Sequence, residues 1–437
     1  MSISRTFGKA ATERLSRGTF LAGSLLLGGS IVWGCSGQAA AVGVASSQAT
    51  RGAGSSSEAV RAAAAVDAFG FDFYDAVLTS GGNSVVSPVS IALALSMAQA
   101  GGKGETATQM DKVLRSALGS GNGNGINSLD QALAGLSGTY KVPGKSDQTL
   151  SLRIANAPFA QSGEQWQQAY LDTLASKYGA GIRLGDFGAD PAAAVKTING
   201  WVNDQTEKRI PKLLDSLDAA TRLVLVNAIY LKAPWLKPFD KGLTADAPFT
   251  RLNGAQVSVP TMRGLLSEAK YASGSGWQAV EIPYVNTSLA MTIVLPDDLA
   301  TFEKGLDAAR FGGITAALQN AHVDLTLPHF KIETKSDLAS VLAGMGMPLA
   351  FDPDKADFSG MTTQERLFIT KVIHQANISV DEDGTEASAA TAVAMAAGAS
   401  PPTQQVTVKV DKPFLFAVRD TGTGAILFLG RVTDPAS

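Results

Sequence analysis

Few residues in this chain could do covalent or metal chemistry, and their spacing argues against both. The three histidines are His322, His329 and His374. No serine has glycine two positions before and two positions after it, as a strand-to-helix nucleophile turn requires. Cys35 is the single cysteine, so no intramolecular disulfide can form. Asp381-Glu382-Asp383-Gly384 looks like half of a calcium loop, but Ala390 stands where the bidentate glutamate belongs. Gly101-Gly-Lys-Gly-Glu-Thr106 lacks the earlier glycine ahead of the Gly-Lys-[Ser/Thr] ending of a phosphate loop, and reads as a helix-ending turn. Neither a cofactor nor a metal is expected, and the chain is not expected to be an enzyme.

The acidic turn has a mechanical reading instead. It runs into Gly384-Thr-Glu-Ala-Ser-Ala-Ala-Thr391, a stretch of small residues set between β-rich runs at Phe368 to Val380 and Val406 to Val418. Alternate residues of a strand point to opposite faces. Thr385, Ala387, Ala389 and Thr391 would share one face and Glu386, Ser388, Ala390 and Ala392 the other, and the first set is uncharged throughout. Such a segment can slide beneath a packed sheet. Proline is excluded from a central strand; none occurs from Gly384 to Ser400, and Pro401 and Pro402 follow at once. Gly384 would supply the swing. Taken alone, the composition equally describes a flexible linker.

The blocks around this segment decide between the two. Asp411-Lys-Pro-Phe-Leu-Phe-Ala-Val-Arg-Asp420 with Ile426-Leu-Phe-Leu-Gly-Arg-Val432, Ser87-Pro-Val-Ser-Ile91, Leu225-Val-Asn-Ala-Ile-Tyr-Leu-Lys232 with Trp235, and Glu281-Ile-Pro-Tyr284 with Met291-Thr-Ile-Val-Leu-Pro296 occur in order. Together with the small-residue stretch they resemble the serpin family over roughly Glu58 to Pro435. The resemblance implies a mixed α/β (α+β) fold with a large, mostly antiparallel central sheet, smaller sheets, about eight or nine helices and an exposed reactive loop at about 382–405. It also implies a suicide-substrate trap: a serine or cysteine protease cuts the loop, which then inserts as a strand before the acyl-enzyme hydrolyses.

By that resemblance the hinge is Glu382, Gly384, Thr385, Glu386, Ala387, Ser388, Ala389, Ala390 and Thr391. Family spacing puts the scissile bond at Gly398-Ala399, with Met395, Ala396 and Ala397 as alternatives because the stretch to Pro413 is long. All are uncharged, which fits a protease with a small or apolar specificity pocket, elastase-like or subtilisin-like, better than a trypsin-like one. Ser87, Ser90, Asn227 and His374 are implied to form a sheet-opening gate, with Trp235 near the top of the opening. For His374 and Trp235 the plain reading is an ordinary buried side chain. A non-inhibitory serpin acting as a binding or chaperone-like protein is the alternative, although such proteins usually carry bulky or charged hinge residues.

The chain has 437 residues, of which 45% are hydrophobic. Length alone would suggest two or three domains, but no long low-complexity break follows Glu58, and one domain over 58–437 is expected. Beyond residue 34 the chain has 32 basic and 38 acidic residues and no basic patch, so nucleic acid is an unsuitable partner. Arg5, Lys9, Arg14 and Arg17 precede an apolar run from Phe20 to Trp33, too short to span a bilayer comfortably and read as a bacterial export signal over 1–34. Val32-Trp-Gly-Cys35 resembles a lipobox, which makes Cys35 the lipidation site and the lipid the only link to a membrane; a cleaved signal or an uncleaved anchor are the alternatives. The Ser/Ala/Gly/Gln-rich stretch 35–57 reads as a flexible tether. The expected product is an exported monomer, either a membrane-anchored lipoprotein or extracellular or periplasmic.

Overall fold

The computed structural model describes residues 43–78, 81–115, 123–142, 146–285, 288–386 and 405–437. The expected mixed α/β fold is present, with nine α-helices and three sheets of eight, seven and four strands among these residues.

The eight-stranded sheet carries the argument. Its main path runs through Val44–Ala45, Ile182–Gly185, Gln148–Gln161, Leu223–Pro234, Gly384–Thr385, Lys371–Val380 and Phe330–Asp337. Leu223–Pro234 reads Leu-Val-Leu-Val-Asn-Ala-Ile-Tyr-Leu-Lys-Ala-Pro and is buried at all but one position. A strand covered on both faces has no polar side to alternate with. Val224, Val226 and Ala228 pack into the core beneath the Pro191–Gln205 helix, with Phe159, Ile198 and Val202. Leu225, Ile229 and Leu231 face the main core on the other side, where the Pro88–Gln99 helix lies. That helix starts on Ser87, whose Oγ accepts from Ser90 N (3.4 Å), has Pro88 in its first turn, and is apolar and buried nearly all round. Asn227 is the polar exception on this inner face.

The seven-stranded sheet stacks Phe414–Asp420 between Leu289–Pro296 and Ile426–Val432. The four-stranded sheet runs Gln405–Lys409, His322–Pro328, Gln256–Leu266, Ala245–Thr250. The strands read at Val406–Val410 and Ile426–Val432 and the helix read from Glu58, here Ser56–Val77, lie where their periodicity puts them.

One expectation is corrected. The stretch read as a tether is docked from Gly43 onward. Val44 and Ala45 pair with Arg183 and Ile182 at the sheet's edge, and Leu184 N donates to Gly43 O at 2.8 Å. Gly181 makes room for this: a Cβ there would lie 2.7 Å from Ala45 O. Further along, the Arg51 guanidinium pairs with Asp130 and donates to Asn127 Oδ1, and Gly52 N donates to Ser176 O. Tertiary partners override the linker composition. Residues 1–42, including Cys35 and the export signal, lie outside the described residues.

Candidate functional site

Strands Leu223–Pro234 and Lys371–Val380 run parallel and pair directly from Lys371↔Val224 to Ala376↔Ile229. Beyond Ala376 they part, and Gly384–Thr385 lies between them at the far end, pairing Thr385 with Val380 on one side and Ala233 on the other, antiparallel to both. Of the residues read as the hinge, Gly384 and Thr385 therefore form a two-residue strand inside the sheet. Its first residues are not exposed: Glu382, Asp383 and Thr385 are buried, which corrects the expectation of an exposed loop from residue 382. Residues 387–404, with hinge positions Ala387, Ser388, Ala389, Ala390 and Thr391 and the candidate cut sites Met395, Ala396, Ala397, Gly398 and Ala399, lie outside the described residues.

Several elements hold the inserted end. Trp235 stacks on Tyr284, centroids 4.5 Å apart, and its indole N–H donates to Asp381 O at 3.0 Å. Tyr284 Oη and Thr385 Oγ1 are 2.6 Å apart. Trp235 N donates to Asp383 O and Phe239 N to Glu382 O. The Asp381 carboxylate accepts from the N–H groups of Asp383 (2.9 Å) and Gly384 (3.2 Å), and Asp383 pairs with Lys241 at 2.7 Å, so the carboxylates that suggested a calcium loop have protein partners. Burial pushes the Glu382 carboxyl up, but hydrogen bonds from Thr244 and from its own backbone, with His329 Nε2 2.9 Å away, outweigh it and hold the group below its ordinary value. Gly384 has φ +147°, and a Cβ there would stand 2.2 Å from Ala233 O, so only glycine allows this approach. At Glu386 the chain turns out with φ +47°; its N–H donates to Ser379 O, and its half-buried carboxylate lies 3.6 Å from Arg209.

The other end of the opening is a polar cluster in the inner face. His374 and Asn227 are register partners. His374 Nε2 accepts from Ser87 N at 3.2 Å, which leaves the proton on Nδ1 for Asn227 Oδ1. Asn227 Nδ2 donates to Ser90 Oγ and Asn156 Oδ1, and Ser90 Oγ also donates to Asn156 at 3.3 Å. The structure thus gathers Ser87, Ser90, Asn227 and His374 and places Trp235 apart, eight residues on from Asn227 and just past the end of its strand. Sequence reasoning missed Asn156 here, and Arg209 and the hinge contacts of Tyr284, Thr244, His329 and Lys241 above. Asn156 is one of several polar residues in the Gln148–Gln161 strand, with Gln148, Thr149, Ser151, Arg153 and Gln161, so nothing in the sequence singled it out.

Burial pushes the His374 imidazole down to about 3 from 6.5. Between those values the unfolded chain binds a proton that the folded one refuses, so stability rises with pH across the window and is lost on acidification. The slope attributable to this group is at most about 1.4 kcal/mol per pH unit. Urea titrations at pH 7, 5.5 and 4.5 are expected to show a steeper acid loss for the wild type than for H374Q; parallel losses would refute a neutral, buried imidazole.

The central sheet thus holds a two-residue segment of its own chain between two parting strands, with a polar cluster further down the seam. The description of one family, Serpin (serine protease inhibitor), matches residues 64–435. An uncharacterized serpin-like protein of Thermococcus kodakarensis is 36% identical over 375 residues, covering 85% of each chain. The leukocyte elastase inhibitor of Homo sapiens is 34% identical over 372 residues, covering 81% of this chain and 93% of its own. The crystal structure of tengpin, a thermophilic serpin in the native state, superposes with a TM-score of 0.77 at 28% identity, covering 90% of this chain and 99% of that one. The chain belongs to the serpin family. Protease inhibition is the general activity that membership supports, and a protease the general class of partner.

Proposed function

We propose that this protein is an irreversible suicide-substrate inhibitor of an extracellular serine or cysteine endopeptidase. The observation that carries the reading is the register of the inserted hinge. Each residue added beyond Thr385 advances one position along both neighbours. Six residues beyond Thr385 stands Thr391; six back from Val380 and Ala233 stand His374 and Asn227, which already face each other. Continued insertion would bring the Thr391 hydroxyl into the polar cluster, and Ala387 and Ala389 onto the inner face between. No charge enters the core.

The chemistry is that of an interrupted hydrolysis. The protease Ser or Cys nucleophile attacks the carbonyl on the amino side of the scissile bond, Gly398-Ala399 or one of the bonds at Met395, Ala396 and Ala397. The amine of the following residue leaves, and an acyl-enzyme remains. Insertion of 386–394 then carries the tethered enzyme along the sheet and distorts its site before water can release it. Small uncharged residues around the cut suit an elastase-like or subtilisin-like pocket, and the likeness to leukocyte elastase inhibitors agrees with this.

Mixing the full chain with an elastase-like and a subtilisin-like protease is expected to give a covalent complex that survives denaturing gels, with the released C-terminal peptide marking the cut by mass. Clean cleavage without a complex for every protease would move the reading to a non-inhibitory serpin acting as a binding or chaperone-like protein. We further propose that Cys35 carries a lipid that keeps the exported protein at a membrane. C35S is expected to move it from the membrane to the soluble fraction, and a variant that stays with membranes refutes lipid anchoring there.

A further inference from the structure

A cavity of about 550 Å³ lies at the edge of the large sheet, between the docked N-terminal segment and Trp201 of the Pro191–Gln205 helix. Its size is that of a small-molecule site. The walls include Val44, Ala157 and the Trp201 ring; the charged residues among them are Arg51 and Arg183, with no carboxylate. Arg51 is neutralised by Asp130. Arg183 is different. Its guanidinium lies over the Trp201 ring, Cζ 4.7 Å from the centroid, and pairs with no carboxylate among the described residues. A partly desolvated guanidinium gains most from a bidentate oxyanion. The indole N–H of Trp201 is also buried without an acceptor.

We propose that this cavity binds a small aromatic carboxylate, with the carboxylate on Arg183 and the ring against Val44, Ala157 and Trp201. The bound molecule would touch both the N-terminal strand and the strand it pairs with, and so hold that strand on the sheet's edge. The site borders the polar cluster through Asn156, which lines both, but it includes no hinge residue and does not depend on the inhibitory reading.

Titration of the full chain with 1-naphthoate, followed by calorimetry and by tryptophan fluorescence, tests it. The neutral isostere 1-naphthamide is expected to bind at least about tenfold more weakly, the loss of one charge-assisted contact. R183Q, at an edge strand, is expected to erase that preference, and W201F to abolish naphthoate quenching of the protein emission. Equal binding of acid and amide, a preference unchanged in R183Q, quenching that survives in W201F, or no binding up to about 1 mM, well above the micromolar range of an ordinary specific site, would each overturn the proposal. Should R183Q fail to fold, the acid–amide comparison and W201F still decide.

Discussion

Replacing Thr385 with Arg is expected to turn the protein from a trap into a substrate: the loop is still cut, and the covalent complex disappears. Thr385 has no exposed surface, pairs with Val380 and Ala233 on its two sides, and meets the Tyr284 hydroxyl at 2.6 Å. A guanidinium there would have to be buried beneath the sheet in place of a hydroxyl that meets Tyr284, at a cost of several kcal/mol. Trapping is a race between insertion and hydrolysis of the acyl-enzyme. An added barrier of about 2.7 kcal/mol slows insertion roughly a hundredfold, enough for hydrolysis to win nearly every turnover. The measurement is the ratio of covalent complex to cleaved inhibitor on denaturing gels, with Thr385→Val as the control that keeps the shape and loses only the hydroxyl contact. A complex yield in T385R equal to wild type would show that insertion does not pass through this slot.

How far this site could be read without coordinates depends on where each partner sits in the chain. Of the hinge reading only its start meets the structure: Gly384 and Thr385 sit inside the sheet, where a glycine and a small uncharged side chain are a local constraint readable from the sequence. The strands around it were legible from apolar runs. That Thr385 is already seated was not, because the seat is built by Tyr284, Ala233 and Val380 from three separate segments. Asn156 was invisible for the same reason: its role exists only where its strand lies beside Asn227. The N-terminal stretch misled outright. Its Ser/Ala/Gly composition carries little burial of its own, and what docks it is Arg51 reaching Asp130 and Asn127 more than seventy positions away and the missing side chain at Gly181. The expectation of a domain starting near residue 58 thus failed by about fifteen residues, and any soluble form should retain the chain from Gly43.

Cleavage of the loop within residues 395–399 is expected to raise the melting temperature by about 10 °C, where a nick in an ordinary surface loop lowers it or leaves it unchanged. The uncut protein holds its strands Leu223–Pro234 and Lys371–Val380 together by six register pairs and a two-residue wedge. On the proposed mechanism the cut loop would displace those pairs and run antiparallel between both neighbours down to the Asn227–His374 level and beyond. A new central strand gains on the order of ten hydrogen bonds at about 0.5–1.5 kcal/mol net each, roughly 10 kcal/mol before side-chain burial is counted. Unfolding entropy near 2.1 cal/mol/K per residue gives a domain of this size about 0.8 kcal/mol/K, so that gain converts to about 12 °C. Three of the entering side chains, Ala387, Ala389 and Thr391, are small enough to be accepted by the packed face without creating strain, which is why the gain should be realised rather than spent on repacking. Differential scanning calorimetry before and after limited proteolysis measures it directly. An unchanged melting temperature in a chain shown by mass to be cut at these positions would mean that the sheet is already at its resting minimum. The energy for distorting a protease would then be missing, whatever the hinge sequence allows.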